Sequence, residues 1–393
     1  MSEPNTRTAG ADADSLVALV ERVGAWTFDQ ALPFWADAGR DGRELGFVER
    51  LDRSGRPDGV DFKRIRVQAR QIYVFSHAHL LGWRGGLAAA EAGYQFLRAH
   101  GRLDGGGWAK VLSRNGAVVD PTFDLYDQAF ILFALAWYHR TTGDAESLVL
   151  AADTIAAIDG RLARADRRGL RSADPDTNPG GLQNPHMHLL EAMLALYDAT
   201  GDESWRHRAS KLGDLFTATL FDPQSGTLAE AFDADWRRVD PVVIEPGHHF
   251  EWTWLLHRLG EATGRDFSRQ SEALFAFADR FGVDPEMGLV CDALSDRGVV
   301  TAGARRLWPQ TERLKALLAR GEASGAFDDA ALRTTLANIL HRYLAPAPQG
   351  CWRDRLDESG RVIDEPIPAS TLYHLFLAFS ELLRLETRIG TAA

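Results

Sequence analysis

Six stretches of this chain open in the same way. Near residues 63, 123, 185, 247, 305 and 370, a loop rich in Gly, Asp and Pro gives way to an apolar-periodic segment. The first turns of each such segment are crowded with polar and aromatic side chains. A plainer amphipathic segment follows each one, residues 148–162 for example. The links between the two are short and marked by Gly or Asp: Gly82, Gly143-Asp144, Gly201-Asp202, Gly264-Arg265-Asp266. The spacing is a repeat of about 60 residues, or two helices with their connections.

Twelve helices are predicted, at 14–38, 63–81, 84–100, 123–142, 144–163, 185–200, 202–220, 247–264, 266–282, 305–321, 326–344 and 370–388. Every long connection precedes an even-numbered helix: 39–62, 101–122, 164–184, 221–246, 283–304 and 345–369. Several of these hold strand-like pieces, such as 44–51 and 108–119. If the two kinds of helix alternate around a ring, the long loops gather at one end, where the even helices begin. There they wall a pocket. The expected fold is therefore all-α, an (α/α)6 barrel of six helical hairpins with long loops at one end. An open solenoid is the alternative, but the six units share less sequence than solenoid repeats usually do. Residues 13–393 are expected to form one barrel domain. Residues 1–12 read as a polar, alanine-rich tail with no apolar signal core.

Composition excludes several classes. The formal net charge is −11, which argues against nucleic acid or an anionic membrane as partner. No run of about 18 apolar residues offers a membrane span. The two cysteines, Cys291 and Cys351, form no metal or disulfide pattern, and a cytoplasmic location follows. A monomer or homodimer is expected.

The richest stretch is Pro246-Gly247-His248-His249-Phe250-Glu251-Trp252-Thr253-Trp254. On a helix His248 and Glu251 share a face and His249 points elsewhere. His248 titrates near neutral pH, and Glu251 could fix its tautomer or bind a hydroxyl beside it. The other even helices start with Arg66 to Arg70, Tyr126, Asn184 with His186, His188 and Glu191, Trp308 with Glu312, and His374. His77/His79 and His186/His188 resemble chelating pairs, but helical residues two apart do not face each other. The His-x-x-Glu order at His188/Glu191 and His248/Glu251 is the reverse of the di-iron Glu-x-x-His motif. Arg70, expected in the same pocket, would repel a divalent cation. No metal and no cofactor are expected, and no phosphate loop or Rossmann fingerprint occurs. Two histidines on different even helices, His248 and His374, suit proton transfer beside a carbonyl. Arg70 could neutralise the oxygen of an enediolate, while Trp308, Tyr126 and Trp252 could offer faces to a sugar ring.

In these residues the chain resembles the N-acylglucosamine 2-epimerase superfamily, from about residue 20 to 385. The matching pieces are Ala69-Arg70-Gln71-Ile72-Tyr73-Val74-Phe75-Ser76, Asn184-x-x-x-His188-x-x-Glu191-Ala192, Pro246-Gly247-His248-x-x-Glu251-Trp252, Trp308-Pro309-Gln310-x-Glu312 and Tyr373-His374. They look most like its D-mannose isomerase branch. The resemblance implies an (α/α)6 barrel without metal or redox cofactor. It also implies His248 and His374 as the acid/base pair, with Arg70, His188 and Glu251 lining the site and Tyr126, Asn184 and Trp308 holding substrate.

The function expected is interconversion of D-mannose and D-fructose through a cis-enediolate. His248 is favoured for the C2 proton, and His374 for ring opening and oxygen protonation. A sugar 2-epimerase of the mannose/glucose, cellobiose or N-acylglucosamine type would instead use both histidines on opposite faces of C2. A glycoside hydrolase would need two carboxylates, Glu251 with Glu191 or Glu312. A non-catalytic sugar-binding protein would need no base.

Overall fold

The computed structural model describes residues 15–42, 46–175, 180–390. The expected tail at 1–12 lies outside the described residues. All twelve predicted helices are present, and their limits move by a few residues at most. The odd, outer helices are α1 (16–37), α3 (Gly86–His100), α5 (Ala145–Arg161), α7 (203–220), α9 (268–282) and α11 (329–344). The even, inner helices are α2 (Ile65–Leu80), α4 (Leu125–Thr142), α6 (Gln183–Thr200), α8 (Pro246–Thr263), α10 (Leu307–Ser324) and α12 (Thr371–Arg384). A short α13 (Glu386–Gly390) follows.

Local chemistry makes the hairpins. Inner helices α4, α6, α8 and α10 end on Gly143, Gly201, Gly264 and Gly325, all with φ between +67° and +75°. Glycine takes this left-handed conformation without a Cβ clash. Asp144, Asp202 and Asp328 then cap free amides of the next outer helix. Outer helices α1, α7, α9 and α11 each contain a π-helical turn, at Trp26–Ala31, Phe216–Leu220, Ala278–Gly282 and Ile339–Leu344.

The inner helices close a ring. Each packs on the next, α2 on α4 and so on to α12, and α12 packs back on α2. Each outer helix lies against its inner partner, with α1 backing α12. The open-solenoid alternative is thereby excluded. Short strands seam the loop end in the same cyclic order. The strand before each inner helix pairs with one in the loop before the next: Phe62–Arg64 with Val111–Ser113, Phe123–Asp124 with Ala173–Asp174, Gly181–Leu182 with Ala231–Phe232, Val243–Ile244 with Ala293–Ser295, and Arg305–Arg306 with Arg355–Leu356. The circle closes where Ile367–Pro368 pairs with Arg50–Leu51. Among the described residues no helix is long and apolar enough to cross a membrane.

A staple recurs at the fourth residue of five inner helices. Gln68 accepts from the Phe47 amide at 2.7 Å and donates to the Phe47 carbonyl at 2.8 Å. Gln128 does the same to Trp108, and Gln310 to Val290. His186 and His249 occupy this position in α6 and α8 and accept from the Leu170 and Leu228 amides at 2.9 and 3.1 Å. Buried loop amides need partners, and these side chains supply them. Burial pushes both imidazoles down, to about 4, so they stay neutral acceptors. His186 is thus a fold residue and not half of a chelating pair.

Candidate active site

The residues two positions beyond the staple face the barrel axis. They are Arg70, Phe130, His188, Glu251, Glu312 and, in register on α12, His374. They form a ring of neighbours. The Arg70 guanidinium lies 4.1 Å over the Phe130 ring, whose centroid is 4.5 Å from that of His188. His188 Nδ1 is 3.9 Å from Glu251 Oε1. Polar atoms of Glu251, Glu312 and His374 lie within 4.8 Å of one another. Glu312 Oε1 is 2.8 Å from His374 Nδ1. The Arg70 charge acts in turn on His374.

One turn nearer the loops stand Arg66, Tyr126, Asn184 and Trp308, each the half-buried second residue of its helix. The indole of Trp308 lies against both catalytic candidates, with ring centroids 4.9 Å from His248 and 5.6 Å from His374. Gly247 makes this possible: a Cβ there would stand 2.5 Å from the Trp308 ring. One turn deeper, the Tyr373 hydroxyl donates to Glu191 at 2.6 Å, and His188 Nδ1 is 3.1 Å from the same carboxylate. Lys315, fully buried, puts Nζ 2.6 Å from Glu312 Oε2.

Both histidines are anchored through Nδ1 by a glutamate, but their surroundings differ. Burial alone would lower His248, yet Glu230, with Oε2 2.8 Å from Nδ1, and the nearby Glu245 and Glu251 raise it to about 9. His374 is pushed well down by burial and by the cations Arg70 and Lys315 and the rings of His188 and His248. Glu312 does not reverse this, because burial and the neighbouring Glu251 push its own carboxyl well up, against the pull of Lys315. A carboxyl protonated on Oε2 still accepts at Oε1, so the contact to Nδ1 survives either way. Burial also opposes the charge on Glu191, but the His188 hydrogen bond brings its pKa below the ordinary value.

Several buried polar atoms around this ring have no protein hydrogen-bond partner: Arg70 Nε, both Glu251 oxygens and Asn184 Oδ1. Leaving such atoms unpaired is costly. Arg70 has no carboxylate within ion-pair distance among the described residues; it holds Tyr126 Oη at 2.6 Å and the Ser370 carbonyl at 3.4 Å. A polyhydroxylated ligand supplies donors for Glu251 and acceptors for Arg70 at once. Two grooves on the barrel flank, of 430 and 600 Å³, contain none of these groups.

All ten residues expected to form the site, His248, His374, Arg70, Tyr126, Asn184, His188, Glu251, Trp308, Glu191 and Glu312, converge at the loop end. Other expectations change. Trp252 is a core residue, stacked on Phe216 at 4.5 Å with its N–H on Gln183. His77 lies toward the far end of the barrel, stacked on Trp137 at 4.1 Å. Glu251 is not the hydrogen-bond partner of His248; Glu230 is. Sequence reasoning missed Glu230, Gln183 and Lys315. The only signal for Lys315 was a charge at a core-facing register position of α10.

The comparisons with known proteins agree with this architecture. The chain is 36% identical over 374 residues to a protein named mannose-6-phosphate isomerase from Rhizobium meliloti (strain 1021), covering 92% of this chain and 95% of that one. It is 29% identical to a D-mannose isomerase from Thermobifida fusca, covering 84% and 89%. A solved structure titled D-mannose isomerase superposes with TM-score 0.82 at 24% identity, over 98% of this chain and 100% of that one. Cellobiose 2-epimerase from Bacillus thermoamylovorans B4167 superposes with TM-score 0.84 at 22% identity, over 93% and 98%. The sequence model of N-acylglucosamine 2-epimerase (GlcNAc 2-epimerase) matches residues 46–378, and the chain, a sugar isomerase or epimerase with a helical-barrel fold, belongs to that family.

Proposed function

We propose that residues 15–390 act as one catalytic barrel that interconverts D-mannose and D-fructose by proton transfer. The observation that carries this reading is a pair of buried histidines, His248 and His374, each anchored through Nδ1 by a glutamate, beside a guanidinium with no carboxylate partner among the described residues; Glu230 raises His248 against burial, while burial and nearby cations push His374 well down. This distribution reverses the roles expected from sequence. His374 is the carbon base and His248 the oxygen acid.

His374 Nε2 takes the C2 proton of the open-chain aldose. The C2–H electrons form C1=C2, and the carbonyl electrons move to O1, which accepts a proton from His248. Arg70 offsets the negative charge while it is on oxygen. The O2 proton then returns to His248, C2=O forms, and C1 takes back the proton held by His374. Glu251, His188 and Asn184 bind hydroxyls, Tyr126 and Trp308 cover the sugar, and Glu191 and Glu312 hold the groups beneath. The cations needed at the developing oxyanion are side chains, Arg70 backed by Lys315. Exhaustive dialysis against EDTA is therefore expected to leave full activity, and added Mg²⁺, Mn²⁺, Co²⁺ or Zn²⁺ to give no stimulation. Loss on chelation and recovery with one ion would instead make ligands of His188 and His248.

The deciding experiment is incubation with D-mannose, followed by NMR of the products. Fructose is expected. Glucose would assign the chain to the 2-epimerase reading, which similarity to cellobiose 2-epimerases keeps in view. Because one relative is named for the 6-phosphate, mannose 6-phosphate belongs in the same assay. No turnover of either sugar would overturn the isomerase reading. The assignment to the cytoplasm belongs to this proposal too.

A further inference from the structure

Glu230 occupies a position that recurs in every repeat. In each loop one residue, just before its strand piece, offers its carbonyl to the preceding inner helix. The carbonyls of Glu49, Lys110, Ser172, Glu230 and Asp354 accept from the amides of Ala369, Ile65, Leu125, Gln183 and Leu307. Asp292 holds the same place in the fifth loop. Where this residue is acidic, its side chain turns to the start of the following inner helix. Glu49 accepts from the Arg64 amide at 2.9 Å, Asp292 from the Arg306 amide at 2.9 Å, and Glu230 from the Glu245 amide at 3.2 Å. Asp354 meets Pro368, which has no amide proton, and accepts from the Thr371 hydroxyl at 2.7 Å instead. The position is thus a capping site for free helix amides.

The remaining carboxylate capacity goes different ways. In the first and fifth units the capped residue is an arginine, and Glu49 and Asp292 pair with the side chains of Arg64 and Arg306. In the fourth unit the capped residue is Glu245, which cannot pair with a carboxylate and instead binds Arg306 at 3.0 Å. The second oxygen of Glu230 is left for the imidazole of His248, at 2.8 Å. Gln183, fully buried, donates to that same oxygen at 2.9 Å and accepts from Trp252 Nε1 at 2.8 Å. The Glu230 amide also donates to the Val243 carbonyl at 3.1 Å. Backbone and side chain are therefore both fixed, and the link runs unbroken from the core indole of Trp252 through Gln183 and Glu230 to His248.

We propose that Glu230 is a positioning residue for the reaction: a helix-capping carboxylate of the repeat that, in this one unit, anchors His248 through Nδ1 and holds it as the acid, with Gln183 fixing the anchor. The inference rests on the isomerase or epimerase reading of the site. It answers a physical problem, because His248 sits in the first turn of α8, where the helix dipole disfavours a cation. The other charged groups near it are Glu245 and Glu251 on its own segment, His374 across the pocket, and Arg306, already paired to Glu245. None of these hydrogen-bonds the His248 ring; Glu230 does.

The test uses Glu230→Gln, which keeps an acceptor for Nδ1–H and removes the charge, and Glu230→Asp, which keeps the charge on a shorter arm. In wild type, kcat/KM against pH should fall on the alkaline side near pH 9 as His248 loses its proton. In Glu230→Gln that limb should move down by more than about one unit, and kcat at neutral pH should fall by about 10–100-fold with little change in KM. In Glu230→Asp the limb should stay near its wild-type position. A purely structural cap would lower Tm and leave the limb in place, and that result would overturn the proposal. Histidine-labelled NMR on the resting protein reads the same quantity without substrate. His248 should stay protonated through pH 8 in wild type and titrate lower in Glu230→Gln; a wild-type His248 titrating at its ordinary value overturns the proposal even if the glutamine variant fails to fold. If neither mannose nor its 6-phosphate is turned over, the isomerase reading fails while the NMR result still decides the role of Glu230.

Discussion

His374→Ala should lower kcat for mannose by about 10²–10⁴-fold, the range for a lost general base. None of the other histidines at the loop end can take its place. His248 is bound at Nδ1 to Glu230, which raises it to about 9 against burial, His188 is bound at Nδ1 to Glu191, and His249 is spent on the Leu228 amide. Water entering the space left by the ring would meet the Glu312 carboxyl, which is pushed up but fixed against Lys315. KM should change much less than kcat, since Trp308, Glu251 and Asn184 remain. Exchange of the C2 proton with solvent deuterium should vanish along with turnover. A folded His374→Ala protein with near wild-type kcat would remove His374 from the chemistry and return the base to His248.

The second large effect is expected at Arg70. Arg70→Lys should reduce kcat/KM by about 10²–10³-fold, comparable to removal of an oxyanion-stabilising donor. Charge is conserved, so the loss measures geometry. The guanidinium is held over Phe130 at 4.1 Å, with one nitrogen on the Tyr126 hydroxyl and another toward the Ser370 carbonyl. Its Nε is left buried without a protein partner. An ammonium cannot reproduce that fork. Its shorter reach would surrender either the Tyr126 contact or the oxyanion. Wild-type activity in Arg70→Lys would place Arg70 outside the oxyanion site.

The fold was legible in the sequence because its signals are local. Glycine and aspartate at hairpin turns, and a polar start to alternate helices, follow from capping and from where a barrel must open. The members of the site on inner helices were legible for the same reason: Arg70, His188, Glu251, Glu312 and His374 recur at one register. What escaped depends on contacts that no local pattern fixes. Glu230 lies in a loop with no period, and its partner His248 is 18 residues away. Lys315 shares the core-facing register of α10, but its charge alone does not show that it is fully buried beneath the ring. Trp252 was read as a site residue from proximity in sequence, but a helix shows only one face to the axis. Which histidine is acid and which is base depends on burial and on neighbouring charge, and neither is visible before the chain is folded.

The closing strand pair, Arg50–Leu51 with Ile367–Pro368, has a consequence for synthesis. Arg70 rests on Ser370, 300 residues later in the chain, and His374, the proposed base, sits on the last inner helix. As the chain leaves the ribosome, five of the six inner helices can emerge and pair with their neighbours while the oxyanion arginine still lacks its neighbours on α12. Long-range closure of this kind is slow and leaves apolar surface exposed while it waits. A nascent chain that still lacks α12 therefore lacks His374 and the Ser370 carbonyl under Arg70, and the candidate site is completed only in the step that joins the last repeat to the first.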